Sequence, residues 1–213
     1  MGKMLRRLLA LVPDLPRLRL SSIDPAAIDA ELWRLIGEEE RLMPHLHLSI
    51  QAGSDLILKR MKRRHSRAEV LAVIRRAREL RPGIAIGADL IAGFPTETED
   101  DFDETLGLVV SEKIPFVHVF PYSERPGTPA ARMPAVAKPV RRARAARLRA
   151  AGAVAARHFY ATQIGREVTV LAESGEAGHS EHFAPVRIAA TPGQLLRGRV
   201  VGSDERGLIA EPA

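Results

Sequence analysis

Three times in the first 113 residues a strand-length run gives way to a turn and then to apolar residues at helical spacing, and a fourth strand-length run closes the series. Leu18 and Leu20 alternate with Arg17 and Arg19, and Ser21-Ser22 ends that run. Asp24-Pro25 then supplies an N-cap and a first helical residue for a face of Ile28, Leu32, Leu35 and Ile36. The unit recurs as His45 to Gln51 with helical residues from Ser54, restarting at Ser66 with Glu69. It recurs again as Ile84 to Ala92 with a helix over Thr98 to Lys113 whose face is Phe102, Leu106, Val109 and Val110. Phe116 to Tyr122 is the fourth strand. Strand-helix alternation with connections of this length builds βαβ units and a parallel sheet. The fold class expected is therefore α/β.

Polar alternation selects a partial (β/α) barrel over a doubly wound sheet. His45, His47, Ser49 and Gln51 share one face and Leu46, Leu48 and Ile50 the other, so the first set points into a lumen and the second meets helices. Chemistry in such a barrel sits at the carboxyl ends of the strands: here Ser22, Gln51 to Ser54, Ile91 to Pro95 and Tyr122 to Arg125. The stretch Gly87 to Glu97 concentrates the signals. Asp89 interrupts an apolar strand, where a carboxylate needs a partner. Gly93-Phe94-Pro95 makes a turn, and Thr96 with Glu99 marks the next helix start.

Met1 to Leu11 carries Met4, Leu8 and Leu11 at helical spacing with no cap signal ahead, and reads as the second half of a helix. Pro134 and Pro139 bracket a hinge before a basic helix over Val140 to Tyr160. From Gly165 the period changes to two, through Val168 and Val170, Val186 and Ile188, then Val200, which reads as a small antiparallel sheet or barrel. The expected organisation is residues 1–135 as the barrel part, 136–164 as a basic helical linker and 165–213 as the small β domain.

Net charge is +6, and Arg132 to Arg157 alone holds eight Lys or Arg and no acid, leaving the rest of the chain slightly acidic. Charge localised in this way suits a polyanion such as RNA, or else a solvated helix, since Arg141, Arg142, Arg144, Arg147 and Arg149 do not share one face. Lys59 to Arg67 is a second basic run, at the rim of the expected barrel. The chain has no cysteine, which removes disulfides, thiolate nucleophiles and thiolate-held metal centres. Lys3 to Val12 lacks the apolar length and cleavage site of a leader, and no run spans a membrane, so the expected location is the cytoplasm.

Three stretches resemble the radical S-adenosylmethionine methylthiotransferases: His45-Leu-His-Leu-Ser-Ile-Gln-Ala-Gly-Ser-Asp with Leu58-Lys-Arg-Met-Lys-Arg, then Asp89-Leu-Ile-Ala-Gly-Phe-Pro-Thr-Glu-Thr-Glu, then Phe120-Pro-Tyr-Ser-Glu-Arg-Pro-Gly-Thr-Pro-Ala. Their order and spacing match as well. The terminal sheet, with Gly178-His179, Phe183 and Ala184, looks like the RNA-binding TRAM domain. Arg19-Leu-Ser-Ser-Ile-Asp-Pro and the Gly87 to Glu99 stretch look most like the branch acting on threonylcarbamoyladenosine beside the tRNA anticodon; the ribosomal-protein and isopentenyladenosine branches share most of these motifs. The resemblance implies a methylthio group inserted at carbon 2 of that adenine, with S-adenosylmethionine and 4Fe-4S clusters as cofactors and the tRNA anticodon arm as partner.

Carried over by position, the resemblance implies that Ser49 and Gln51 lie near the ribose or methionine part of S-adenosylmethionine. It implies Ile91, Gly93 and Phe94 against its adenine, Arg63 on its carboxylate, and Asp89, Tyr122 and Arg125 bordering the same cavity. The family holds its catalytic cluster with C-x-x-x-C-x-x-C after the first barrel strand and a second cluster in an amino-terminal domain. Neither motif is present. The chain thus resembles the carboxyl-terminal part of such an enzyme, is expected to be catalytically incomplete alone, and would have the amino-terminal half as a further partner. No residue receives a catalytic or metal-binding role. A metal-dependent hydrolase using His45, His47 and His118, with His65 and Asp89, is a competing reading. Against it stands the expectation that His45, His47 and His118 are hydrogen-bonded lumen side chains. A non-catalytic RNA-binding module is the other alternative.

Overall fold

The strands expected at His45, Ile84 and Phe116 all form. In a computed structural model covering residues 1–213, β1 (His45–Gln51), β2 (Ala85–Ala92) and β3 (Phe116–Pro121) make a parallel sheet in the order β1-β2-β3. Register pairs His47 with Gly87 and Asp89 with His118. Helices α1 (Gly2–Leu11), α2 (Ala30–Glu38), α3 (Asp55–Arg60), α4 (Arg67–Leu80) and α5 (Glu99–Ser111) occur between or before these strands. Leu46, Leu48, Ile50, Ile86 and Leu90 share one core with Leu32 and Ile36 of α2, Val70 and Ile74 of α4, and Phe102 and Leu108 of α5. The leucine face of β1 therefore meets the helices.

Four local expectations are corrected. Leu18 to Ser22 is not a strand: single bridges join Leu18 to Leu42, ahead of β1, and Ile23 to Leu48 of β1, with Ser22 between them at φ 45°, outside the extended region. Arg17 and Arg19 reach across to the carbonyls of Thr169 and Ser180. Asp24 caps only a short 3₁₀ turn, Pro25–Ala27, because Ile28 is extended; Asp29 caps α2 itself, accepting from Leu32 at 2.8 Å. In α1 the buried face is Leu5 and Leu9, while Met4, Leu8 and Leu11 are exposed, since the amino end is tied to Asp29 through Met1 and Gly2. Thr98 with Asp101, not Thr96 with Glu99, forms the capping box of α5. Thr96 is left-handed (φ 68°) and its amide is spent on the Pro134 carbonyl.

The basic helix α6 (Lys138–Gln163) takes Pro139 into its first turn. It buries Ala145 and Leu148 in the sheet core and Tyr160 in a second core formed by β4 (Glu167–Ala172), β5 (Ala177–Ser180), β6 (Pro185–Arg187), β7 (Leu195–Asp204) and β8 (Gly207–Pro212). These five strands close into a barrel ordered β4-β5-β6-β8-β7, antiparallel except for the parallel β6-β8 pair. The purely antiparallel expectation is corrected at that pair, where β8 returns beside β6 to close the ring. No helix is long and apolar enough to cross a membrane.

Candidate functional site

At the carboxyl ends of β1 to β3 a cavity of about 700 Å³ opens, walled by Gln51, Ile91, Phe120 and Tyr122 and bordered by Ser22, Asp89, His118 and Arg125. A second cavity of about 460 Å³ shares Gln51 and Ile91 and adds Arg63, Phe94 and Met61. Gln51, shared by both, ends β1 in the left-handed region at φ 70°. Seven of the residues assigned by resemblance line these two spaces: Gln51, Asp89, Ile91, Tyr122 and Arg125 the first, with Arg63 and Phe94 joining Gln51 and Ile91 at the second. Ser49 and Gly93 line neither. Ser49 contributes its carbonyl to Arg63 Nη2 at 2.9 Å.

Gly93 belongs to a clamp. Its φ is +73°, a Cβ there would meet Arg141 Cγ at 2.5 Å, and its amide donates to Glu97 Oε2 at 2.8 Å. Glu97 is buried, and the same oxygen accepts from Arg144 Nη1 at 2.8 Å. Burial pushes the Glu97 carboxyl above the ordinary range, against the pull of the Gly93 amide and Arg144. Arg141 donates to the Tyr122 carbonyl and pairs with Glu124 at 2.8 Å, and Arg147 pairs with Glu99 and Asp103. Arg141 and Arg144 are thus part of neither a solvated face nor an open RNA surface, whereas Arg142, Arg147 and Arg149 of the same helix are exposed. Both are buried cations: Arg144 fastens α6 to the loop after β2 through Glu97, and Arg141 fastens it to the segment after β3 through Tyr122 and Glu124.

The rim carries other cations, two of them from the start of α6. Arg125 borders the large cavity, Lys138 and Arg142 line an adjoining groove, and Arg60 and Lys62 flank the second cavity.

Asp89 has the partners its burial demands. Ser22 Oγ donates to Oδ2 at 2.9 Å, while Oδ1 faces His47 Nε2 at 3.0 Å and His118 Nδ1 at 3.3 Å. Burial alone would raise its pKa, but the bonds from His47 and Ser22 and the nearby imidazoles bring it below the usual carboxylate value. His45 breaks the lumen expectation: neither ring nitrogen has a partner, and the ring packs against Phe116 and Phe183 with centroids 5.7 and 5.4 Å away. Burial, then the charge of Arg19, lowers its pKa to about 3. The H-x-H spacing suggested a pair; the sheet instead joins His47 to residues of β2 and β3. His65 is buried with Nε2 at 3.0 Å from the Ile50 carbonyl. Ser22 was placed by the sequence at a strand end but given no role, and nothing local marks its bond to Asp89, 67 residues away.

The two cofactors of the resembling family fare differently. A 4Fe-4S cluster does not fit: the chain offers no thiolate, and three sulfur ligands are what holds it. S-adenosylmethionine fits, because the cavities are of ligand size, mostly apolar with a few convergent polar groups, and Arg63 Nε is buried beside them with no partner.

Residues 3–109 match the family model described as Radical SAM superfamily. Over 206 residues, 96% of this chain, the sequence is 48% identical to the threonylcarbamoyladenosine tRNA methylthiotransferase MtaB of Rickettsia prowazekii. It is 39% identical over 220 residues, 99% of this chain, to a tRNA-2-methylthio-N(6)-dimethylallyladenosine synthase of Cereibacter sphaeroides. The chain spans 49% and 50% of these relatives, about half their length. Among solved structures, the radical SAM coproporphyrinogen III oxidase HemN of Escherichia coli superposes with a TM-score of 0.51 at 22% identity, over 62% of this chain and 31% of that one. The radical S-adenosylmethionine methyltransferase TsrM of Kitasatospora setae gives 0.50 at 18%, over 61% and 26%. At these identities the two structures share the fold alone.

Proposed function

This chain belongs to the radical SAM superfamily, and on that footing we propose that it serves the methylthiolation of tRNA at carbon 2 of N6-threonylcarbamoyladenosine beside the anticodon. What carries the reading is the similarity to the Rickettsia enzyme across 206 residues, higher than that to the dimethylallyladenosine synthases. The cavity at the strand ends supports it from the side of chemistry.

In this reading S-adenosylmethionine, which supplies a radical when a cluster cleaves it, occupies the joined cavities. Arg63 offers its unpartnered Nε–H to the methionine carboxylate, a match of planar donor and anion. Ile91 and Phe94 give apolar surface to the adenine, and Gln51 and Tyr122 border the ribose side. Ser49 acts through Arg63 by holding its other nitrogen, and the Glu97 and Arg144 pair holds the Gly93 turn shut so that Phe94 keeps its place. The cluster comes from residues other than these 213, so the amino-terminal half of such an enzyme is the partner expected. The small barrel acts as the TRAM-like RNA-binding domain, residues 165–213, and the rim cations Arg125, Lys138, Arg142 and Lys62 meet the anticodon arm. Arg141 and Arg144 are excluded from that contact by their own ion pairs.

Two measurements on the purified chain test the reading together. Incubated anaerobically with reductant and S-adenosylmethionine, it should release no deoxyadenosine. It should bind tRNA with an affinity that falls as salt rises, and Lys138→Ala with Arg142→Ala should flatten that dependence. Absence of tRNA binding at low salt would reject the reading, and deoxyadenosine above a no-enzyme control would reject the incompleteness.

A further inference from the structure

From the convergence of three side chains on three adjacent strands, we propose that His47, Asp89 and His118 form a binding site for a divalent first-row transition ion, zinc by its donor set. The inference goes beyond the tRNA reading and needs no part of it.

The site follows from the register. Asp89 and His118 are direct neighbours across β2 and β3, and His47 is the neighbour of Gly87, two residues before Asp89 on the same face of β2. One ligand atom from each lies within 4.8 Å of the other two. Gly87 makes this possible: a Cβ there would stand 2.3 Å from His47 Nδ1, so only glycine lets the ring lie flat across β2 with Nε2 aimed at Asp89.

The spacing suits zinc. Tetrahedral bonds of about 2.0 to 2.1 Å put neighbouring ligand atoms about 3.3 Å apart, and Asp89 Oδ1 stands 3.0 Å from His47 Nε2 and 3.3 Å from His118 Nδ1. Two imidazoles and one carboxylate are a borderline donor set that prefers zinc, cobalt or nickel to magnesium or calcium. A positioning group is already in place, since Ser22 Oγ holds the far carboxylate oxygen at 2.9 Å and so fixes which oxygen faces the imidazoles. Asp89 and His118 border the large cavity, so the fourth position of a tetrahedral ion would open into it, where a water or a ligand oxygen can enter.

The test uses the untagged chain, freed of metal with a chelator and titrated with Co(II) as a visible probe, then with Zn(II) in competition. One equivalent of Co(II) should bind with d–d absorbance, and Zn(II) should displace it. His118 is largely exposed, so His118→Ala should fold with an unchanged metal-free melting temperature and lose the absorbance. Ser22→Ala should bind about tenfold more weakly. Zn(II) should raise the melting temperature of the unmodified chain and leave that of the His118 variant where it was. Failure of the chain to take up either ion, or uptake undiminished in His118→Ala, would overturn the site.

Discussion

His45 and His47 stand two residues apart on one strand and face the same way, yet the two ends of the sheet treat them oppositely. Toward the carboxyl end, His47 is buried against a carboxylate partner, Asp89, which itself borders an open cavity. Toward the amino end, His45 has no partner and is packed into an aromatic cluster with Phe116 and Phe183, which Arg19 covers from 4.6 Å. The small barrel supplies Phe183 and His182 to that cluster, and α6 supplies Phe159. One end opens into a cavity, the ligand site of the function proposed. The other is arranged to hold two parts of the chain together, and an unpaired neutral imidazole there serves as packing surface.

The largest expected effect breaks the carboxyl end from behind. Arg144→Ala leaves Glu97 buried and unpaired, and should cost about 3 to 5 kcal/mol of unfolding free energy in urea denaturation. Replacing both residues by apolar ones should cost less, because the stranded charge is then absent. A loss under about 1 kcal/mol for the single variant would mean that the loop after β2 is not held by this pair.

The amino end should respond to acid. Burial, and then the charges of Arg81, Arg166 and Arg19, lower the pKa of His182 from 6.5 to about 4, with Glu181 3.9 Å away on the other side. The unfolded chain takes up a proton near pH 6.5 that the folded chain refuses, so stability is full above that pH and declines as pH falls toward 4, by up to about 3 kcal/mol. His182→Phe should make the decline between pH 7 and 4.5 shallower, with His45, whose pKa burial lowers to about 3, accounting for the remainder. An equal slope in both proteins would place the acid sensitivity elsewhere.

Gly87 lies between the two histidines. A Cβ there would stand 2.3 Å from His47 Nδ1 and 3.0 Å from His45 Nε2, so Gly87→Ala should destabilise the chain by about 1 to 3 kcal/mol through overpacking. A smaller loss in thermal unfolding would show that both rings can retreat.

The strands were legible in the sequence, whereas the contrast between His45 and His47 was not, and the reasons are physical. Alternation along His45 to Gln51 and the apolar run through Ile84 placed the strands, because period two is a local property. Asp89 announced a partner but not which one, since Ser22 and His118 reach it only through folding. Asp24-Pro25 and Asp29 both carry capping chemistry, and only the extended backbone at Ile28 decides that α2 starts from the second. The arginines of α6 looked like one charge run. Their acids, Glu97, Glu99, Asp103 and Glu124, sit 17 to 48 residues away, so pairing was invisible until α6 lay against α5.

The smallest effect is the most direct test of the claim that the carboxyl end is the ligand end. S-adenosylmethionine should be titrated calorimetrically into the unmodified chain, into Arg63→Ala and into His182→Phe. The account predicts binding by the unmodified chain, about tenfold weaker binding by the Arg63 variant, near 1.4 kcal/mol, and unchanged affinity in the His182 variant. Equal affinity in all three, or a loss confined to His182→Phe, would contradict it.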